Sequence, residues 1–156
     1  INDVSYASML HDVGKWRTPN EILLKPGELT PAEWEVIKQH PKLGVEMLRP
    51  LLKDKGSNQY LKLVESAVLH HHEKWDGTGY PERLKGEEIP LSARIVALAD
   101  NYDALVSERS YRKALSHEEA VEIIKKDHGK FDPRILQLFI DHHLEFKRIK
   151  EENSGI

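Results

Sequence analysis

Within twelve residues, His70-His71-His72-Glu73-Lys74-Trp75-Asp76-Gly77-Thr78-Gly79-Tyr80-Pro81 combines three imidazoles, two carboxylates and a Gly-x-Gly-Tyr-Pro turn. Upstream stands His11-Asp12, followed by Gly14-Lys15; His40 lies between the two stretches, and Asp100 closes an apolar run downstream. Imidazole and carboxylate without thiolate form the ligand set of a hard-to-borderline divalent metal. Several such groups on separate helices point to a multinuclear hydrolytic centre.

The elements that must carry these residues read as helical nearly throughout. Residues 4–13 form a helix that is expected to end near Gly14, a C-cap candidate. Pro19 to Gly27 is a loop. Thr30-Pro31-Ala32-Glu33 opens a helix with a Thr cap, Pro at the first position and Glu closing a capping box. It runs toward His40, where Pro41 breaks or restarts it, and a further piece covers 41–52. A polar loop is expected over 54–58, a helix over 60–72 and a long Gly- and Pro-bearing loop over 76–90. The stretch 90–107 is apolar almost all round, as in a buried helix. Ser116 and Glu119 make a second capping box for 117–127, and Asp132-Pro133 opens a last helix over 133–149. No segment alternates with a period of two, so no sheet is expected.

The chain has 156 residues, enough for one domain with a sizeable core. A net charge of −3 and the lack of a basic tail argue against binding long nucleic acid. There is no cysteine, which excludes disulfides, thiolate metal sites and cysteine nucleophiles and fits a reducing, cytoplasmic setting. No apolar run approaches the ~20 residues that span a bilayer. The opening residues read as the middle of a helix, so the sequence is expected to be a fragment of a longer protein.

Each candidate has a plainer reading beside the chemical one. His11 and Asp12 lie about 100° apart on a helix and serve equally as ligands or as a helix-end pair. Lys15 shares their face if the turn holds, as a phosphate contact or a solvated lysine. His40 extends the apolar face of Trp34 and Ile37; alone, such a histidine is more often a satisfied core residue than a ligand. In the triplet, Leu61, Val64 and Val68 mark the buried stripe, which puts His71 near its centre, His72 on its flank and His70 either outward or behind the ligands as a support. Glu73 either orients an imidazole or is a surface charge. Asp100, on the most apolar helix, needs a metal or a cation such as Arg94, and Asp103 faces the same choice. Tyr80, on the Gly-rich loop, is presented to stack on a base or bond a phosphate. Arg109, Arg112 and Lys113 form either a phosphate clamp or an ordinary basic cluster.

Taken in order, these blocks resemble the HD-GYP domain, a branch of the HD metal-dependent phosphohydrolases, from about Leu10 to Pro133. The resemblance is carried by His11-Asp12-Val13-Gly14-Lys15, by Leu23 to Thr30 with His40-Pro41 and Gly44, by His71-His72-Glu73 through Asp76-Gly77-Thr78-Gly79-Tyr80-Pro81, by Ile89 to Ile95 leading to Asp100-Asn101-Tyr102-Asp103, and by Arg109-Ser110-Tyr111-Arg112. It implies an all-α HD helical bundle, over residues 1–150 with a tail at 151–156, that hydrolyses cyclic di-GMP to pGpG, GMP or both. It also implies two or three iron or manganese ions, with His11, Asp12, His40, His71, His72 and Asp100 on ligand positions. His11, Asp12 and Lys15 would carry the reaction, and Lys15, Tyr80, Arg109 and Arg112 would touch the dinucleotide. A non-catalytic module that binds a cyclic dinucleotide or a partner protein is the alternative. An upstream sensory or receiver domain and a homodimer complete the expected setting. The chain departs from the family at Ser110, where a proline is usual, and it begins after a family helix that carries a further histidine ligand, so the bundle is expected to lack its first helix.

Overall fold

The computed structural model describes residues 2–53, 59–108 and 113–153. Along the chain run α1 (Asn2–Leu10), a 3-10 turn (Val13–Arg17), α2 (Asn20–Leu23), α3 (Pro31–Ile37), α4 (His40–Lys53), α5 (Gln59–His70), a second 3-10 turn (Gly86–Glu88), α6 (Leu91–Val106), α7 (His117–Lys126) and α8 (Pro133–Asn153). No strand occurs among the described residues, and the architecture is all-α. The loop expected over 54–58 and the segment 109–112, with Arg109, Ser110 and Arg112, lie outside the described residues.

Local sequence explains the helix starts. Thr30 accepts a hydrogen bond from the Glu33 backbone N–H while the Glu33 carboxylate accepts from the Thr30 N–H, and Ser116 and Glu119 repeat the arrangement at α7. Asp132 opens α8 by accepting the Arg134 backbone N–H at 2.9 Å. α3 stops at Ile37 and α4 starts afresh at His40, which leaves Pro41 in the first turn, where its missing N–H costs nothing.

Two apolar clusters organise the bundle. In the first, α5 supplies Val64, Ala67 and Val68, which pack with Ala7 of α1, Val45 and Leu48 of α4 and Val96 of α6. In the second, Leu98, Tyr102 and Val106 of α6 pack with Ala120, Val121 and Ile124 of α7, Phe131, and Leu136 and Phe139 of α8. α6 therefore belongs to both. The buried Val, Leu, Ile and Phe side chains among them are each worth about 1.5–3 kcal/mol. A chain of polar contacts ties α6, α7 and α8 together: Tyr102 Oη lies 2.8 Å from His117 Nδ1, and His117 Nε2 lies 2.8 Å from His143 Nδ1.

Several expectations change. α2 forms inside the stretch expected as a loop, and α5 ends at His70, not 72. α1 ends at Leu10, not 13; His11 and Asp12 form a turn, and Asp12 has a non-helical backbone (φ −98°, ψ 6°). Gly14 is not a helix cap. A Cβ there would lie 1.9 Å from the His40 carbonyl oxygen, so only glycine lets this turn press against the start of α4. α6 is not buried all round, because Leu91 and Ile95 face outward.

Candidate metal centre

The bundle brings four helix segments to one point. α1 ends into His11 and Asp12, α4 opens with His40, α5 ends into His71 and His72, and α6 presents Asp100 from its middle. Two overlapping donor groups result. Asp12, His40, His71 and His72 offer atoms all within 4.8 Å of one another, and so do His11, Asp12 and Asp100. Asp12 is the member common to both.

The imidazoles are oriented in a common way. His40 Nδ1–H donates to the Ile37 carbonyl at 2.7 Å and His71 Nδ1–H to the Val68 carbonyl at 2.9 Å, while His11 Nδ1–H donates to the Ser8 carbonyl. A carbonyl can only accept, so each bond fixes the ring proton on Nδ1 and leaves a lone pair on Nε2. Those Nε2 atoms point inward. His40 Nε2 and His71 Nε2 face each other at 3.1 Å, and His40 Nε2 and His71 Nε2 lie 3.3 and 3.8 Å from Asp12 Oδ1. His11 Nε2 lies 3.4 Å from Asp100 Oδ1 and 3.5 Å from Asp12 Oδ2. His11 Nε2 and Asp12 Oδ1 are buried and have no hydrogen-bond partner. Lone pairs turned on one another, with orphaned acceptors between them, are costly without a cation. Neutral Nε2 nitrogen and carboxylate oxygen suit a divalent transition ion, and backbone-anchored Nδ1–H groups are the outer support such ligands require.

Burial lowers the His71 pKa to about 4, so its ring is neutral at pH 7. Burial likewise depresses His72, with His71 and His40 adding to the effect. Burial also pulls on His11, but Asp100 and Asp12 outweigh it and raise the His11 pKa. Burial alone would raise the pKa of Asp12, but His40, Lys15 and His11 outweigh it and hold the carboxyl well below the usual range. Asp100 behaves similarly, with His11 overcoming its burial. Lys15 Nζ donates to Asp12 Oδ2 at 2.5 Å.

The Gly-Tyr-Pro loop folds back on this cluster. Gly79 packs on the backbone, where a Cβ would lie 2.4 Å from the Lys74 nitrogen and 2.6 Å from the His72 carbonyl oxygen. Tyr80 N–H donates to that same carbonyl at 3.2 Å. The Tyr80 ring is not simply presented to solvent: it stacks on His72, with centroids 4.8 Å apart and planes 25° apart. Glu73 does not orient an imidazole. Its buried carboxylate accepts the Glu82 and Arg83 backbone N–H groups at 2.7 and 3.0 Å and closes the loop. His70 points away from the cluster and contacts Glu82 at 3.0 Å. Arg94 pairs with Asp132 at 2.6 Å and leaves Asp100 to His11. Asp103 is remote, bonded to Ser107.

Two connected cavities open on the cluster. One, about 290 Å³, is lined by His71, His72, Asp100, Asn101 and Lys130; the other, about 190 Å³, lies between α3 and the loop before it. Lys130 donates to Asn101 at 2.5 Å and stands at the wall of the first. Neither Lys130 nor Trp34, which borders both cavities, was marked as a site residue by motif spacing; helical spacing put Trp34 on an apolar face with Ile37 and His40, whereas its ring is half exposed.

The HD domain family model matches residues 1–135. Among curated proteins, the chain is 49% identical over 132 residues to a cyclic di-GMP phosphodiesterase of Vibrio cholerae, covering 84% of this chain and 27% of that protein. It is 40% identical over 148 residues to 3'3'-cGAMP-specific phosphodiesterase 2 of the same organism, covering 94% of this chain and 27% of that protein. Among solved structures it resembles Bd1817, an HDG"Y"P protein from Bdellovibrio bacteriovorus, with a TM-score of 0.64 and 24% identity over 86% of this chain and 41% of that one, a likeness of fold. The chain thus spans 27% of the length of either curated relative.

Proposed function

We propose a function that proceeds from one fact: this chain belongs to the HD-domain family. It is a metal-dependent phosphodiesterase that hydrolyses cyclic di-GMP to linear pGpG, GMP or both. The observation that carries the reading is the set of inward Nε2 lone pairs on His11, His40 and His71 around the shared carboxylate of Asp12. The 49% identity to a cyclic di-GMP phosphodiesterase supports the substrate.

His40, His71 and His72 would hold one ion, His11 and Asp100 another, and Asp12 would serve both. Two or three iron or manganese ions held there would supply Lewis acidity toward the phosphate and an activated water as nucleophile. Lys15, fixed by Asp12, and Lys130, fixed by Asn101, bring positive charge to the non-bridging oxygens, where charge grows in the transition state. Arg109 and Arg112 belong to the same reading as phosphate contacts. Tyr80 holds the His72 ring in place by stacking. Among the described residues no helix is long and apolar enough to cross a membrane. Hydrolysis of a bacterial second messenger places the work in the cytoplasm. A relative 40% identical over 150 residues is named a cyclic di-GMP phosphodiesterase response regulator, which supports an upstream sensory or receiver segment.

The test is chromatography of cyclic di-GMP and 3'3'-cGAMP after incubation with Mn(II)- or Fe(II)-loaded protein. Linear product chiefly from cyclic di-GMP is expected. Intact dinucleotide in the presence of bound metal would favour a binding module, and faster loss of 3'3'-cGAMP would move the substrate.

A further inference from the structure

The smaller cavity raises a question that the metal cluster does not answer. Its walls are chiefly apolar, Ile22 and Leu23 of α2, Leu29, and Trp34 and Ile37 of α3, with Lys25 and His40 also in the lining of a slot about 190 Å³ in volume. It meets the larger cavity, which contains Asp100 and Lys130, through four shared residues: Lys15, Trp34, His72 and Tyr80. Each cavity alone falls short of the ~300–1,000 Å³ usual for a small-molecule site. Together they suit a ligand with a charged centre and an apolar arm.

Trp34 stands at the junction. It is 48% exposed, although tryptophan is on average a well-buried residue. Its helix is held rigidly: the Thr30–Glu33 capping box fixes the first turn, and Lys25 clamps Glu33 at 2.7 and 2.9 Å, pinning the preceding loop against α3. The Tyr80 ring is already committed on one side to His72. Trp34 is therefore the aromatic surface at the junction that is free to receive a planar group.

We infer that Trp34 and this apolar slot form a purine-base subsite, in which Trp34 stacks on one base of the dinucleotide while its phosphate sits at the donor cluster. The inference rests on the proposed function and adds the residue that recognises the base. Stacking on an aromatic side chain is tolerant of base identity, because every base has a π-face, so Trp34 sets affinity for purine dinucleotides and does not itself separate guanine from adenine.

Three proteins test it, each loaded with Mn(II): wild type, Trp34→Phe and Trp34→Ala. Substrates are cyclic di-GMP and methyl p-nitrophenyl phosphate, a diester without a base. Trp34→Ala should raise KM for cyclic di-GMP about tenfold, beyond any change on the baseless diester, with kcat much less affected. Trp34→Phe, which keeps a stacking face, should recover most of the loss. In rapid mixing before turnover, cyclic di-GMP should quench tryptophan fluorescence of the wild type but not of Trp34→Phe, where Trp16 and Trp75 remain. Equal KM changes on both substrates, or equal quenching in wild type and Trp34→Phe, would overturn the subsite. Wild-type protein that binds cyclic di-GMP with Trp34 quenching but hydrolyses neither substrate would overturn the phosphodiesterase reading and leave the subsite standing.

Discussion

At the scale of single residues, three protons do most of the organising. Each sits on an Nδ1 and is donated to a carbonyl three residues earlier, which turns His11, His40 and His71 toward the same space. Asp12 belongs to both donor groups, so Asp12→Ala should remove more metal than Asp100→Ala or His11→Ala. Elemental analysis of the three variants checks this, and equal losses would deny Asp12 its shared position. Tyr80 contributes through its ring: Tyr80→Phe should retain metal, while Tyr80→Ala should weaken metal affinity about tenfold by freeing His72. Metal titration of both variants would contradict the account if Phe and Ala behaved alike. The inward placing of His71 and His72 was legible in the sequence, because Val64 and Val68 fix the helix phase, whereas His70, expected outward or behind the ligands, is buried against Glu82. Glu73, Lys130 and Trp34 were not legible. What each does depends on groups that only the tertiary fold brings near, the Glu82 and Arg83 amides, Asn101 and the loop before α3.

At the scale of elements, the centre depends on how closely helix ends approach. The 3-10 turn meets α4 through Gly14, and an added methyl group would overlap the His40 backbone. Gly14→Ala should therefore cost about 2 kcal/mol or more and also impair metal uptake; a urea melt matching wild type would contradict this. Asp132 joins α6 to the start of α8. Burial opposes its charge, but Arg134 and Arg94 prevail and lower its pKa to about 2 from 3.8. A depressed carboxylate stabilises the fold fully above its unfolded pKa and ceases to do so as pH falls through the folded one. The shift corresponds to about 2 kcal/mol. Asp132→Asn should thus be less stable by about that amount at pH 7, with the gap closing between pH 4 and pH 2; urea unfolding across that range checks it, and an undiminished gap at pH 2 would contradict it. The helices themselves were legible from capping boxes and apolar spacing, as at Thr30 and Ser116. The end of α1 was not. The restart of the helix at His40-Pro41 was legible from the proline, but a glycine pressed on a neighbouring backbone follows from packing, and single-chain periodicity does not register it.

At the scale of the whole molecule, α6 links two apolar clusters and carries Asp100 to the donor groups. Donors from α1, α4, α5 and α6 meet where lone pairs and carboxylates would otherwise repel, so bound ions should stabilise the bundle as a unit. Binding at a hundred times the dissociation constant adds about 2.7 kcal/mol, and a melt with and without chelator should show it as a rise in Tm. The central claim is that these donors form one multinuclear centre around Asp12. Electron paramagnetic resonance during Mn(II) titration tests it most directly. The account predicts an exchange-coupled spectrum as the second equivalent binds, abolished in Asp12→Ala. An uncoupled six-line spectrum at every stoichiometry, the same in wild type and variant, would contradict it.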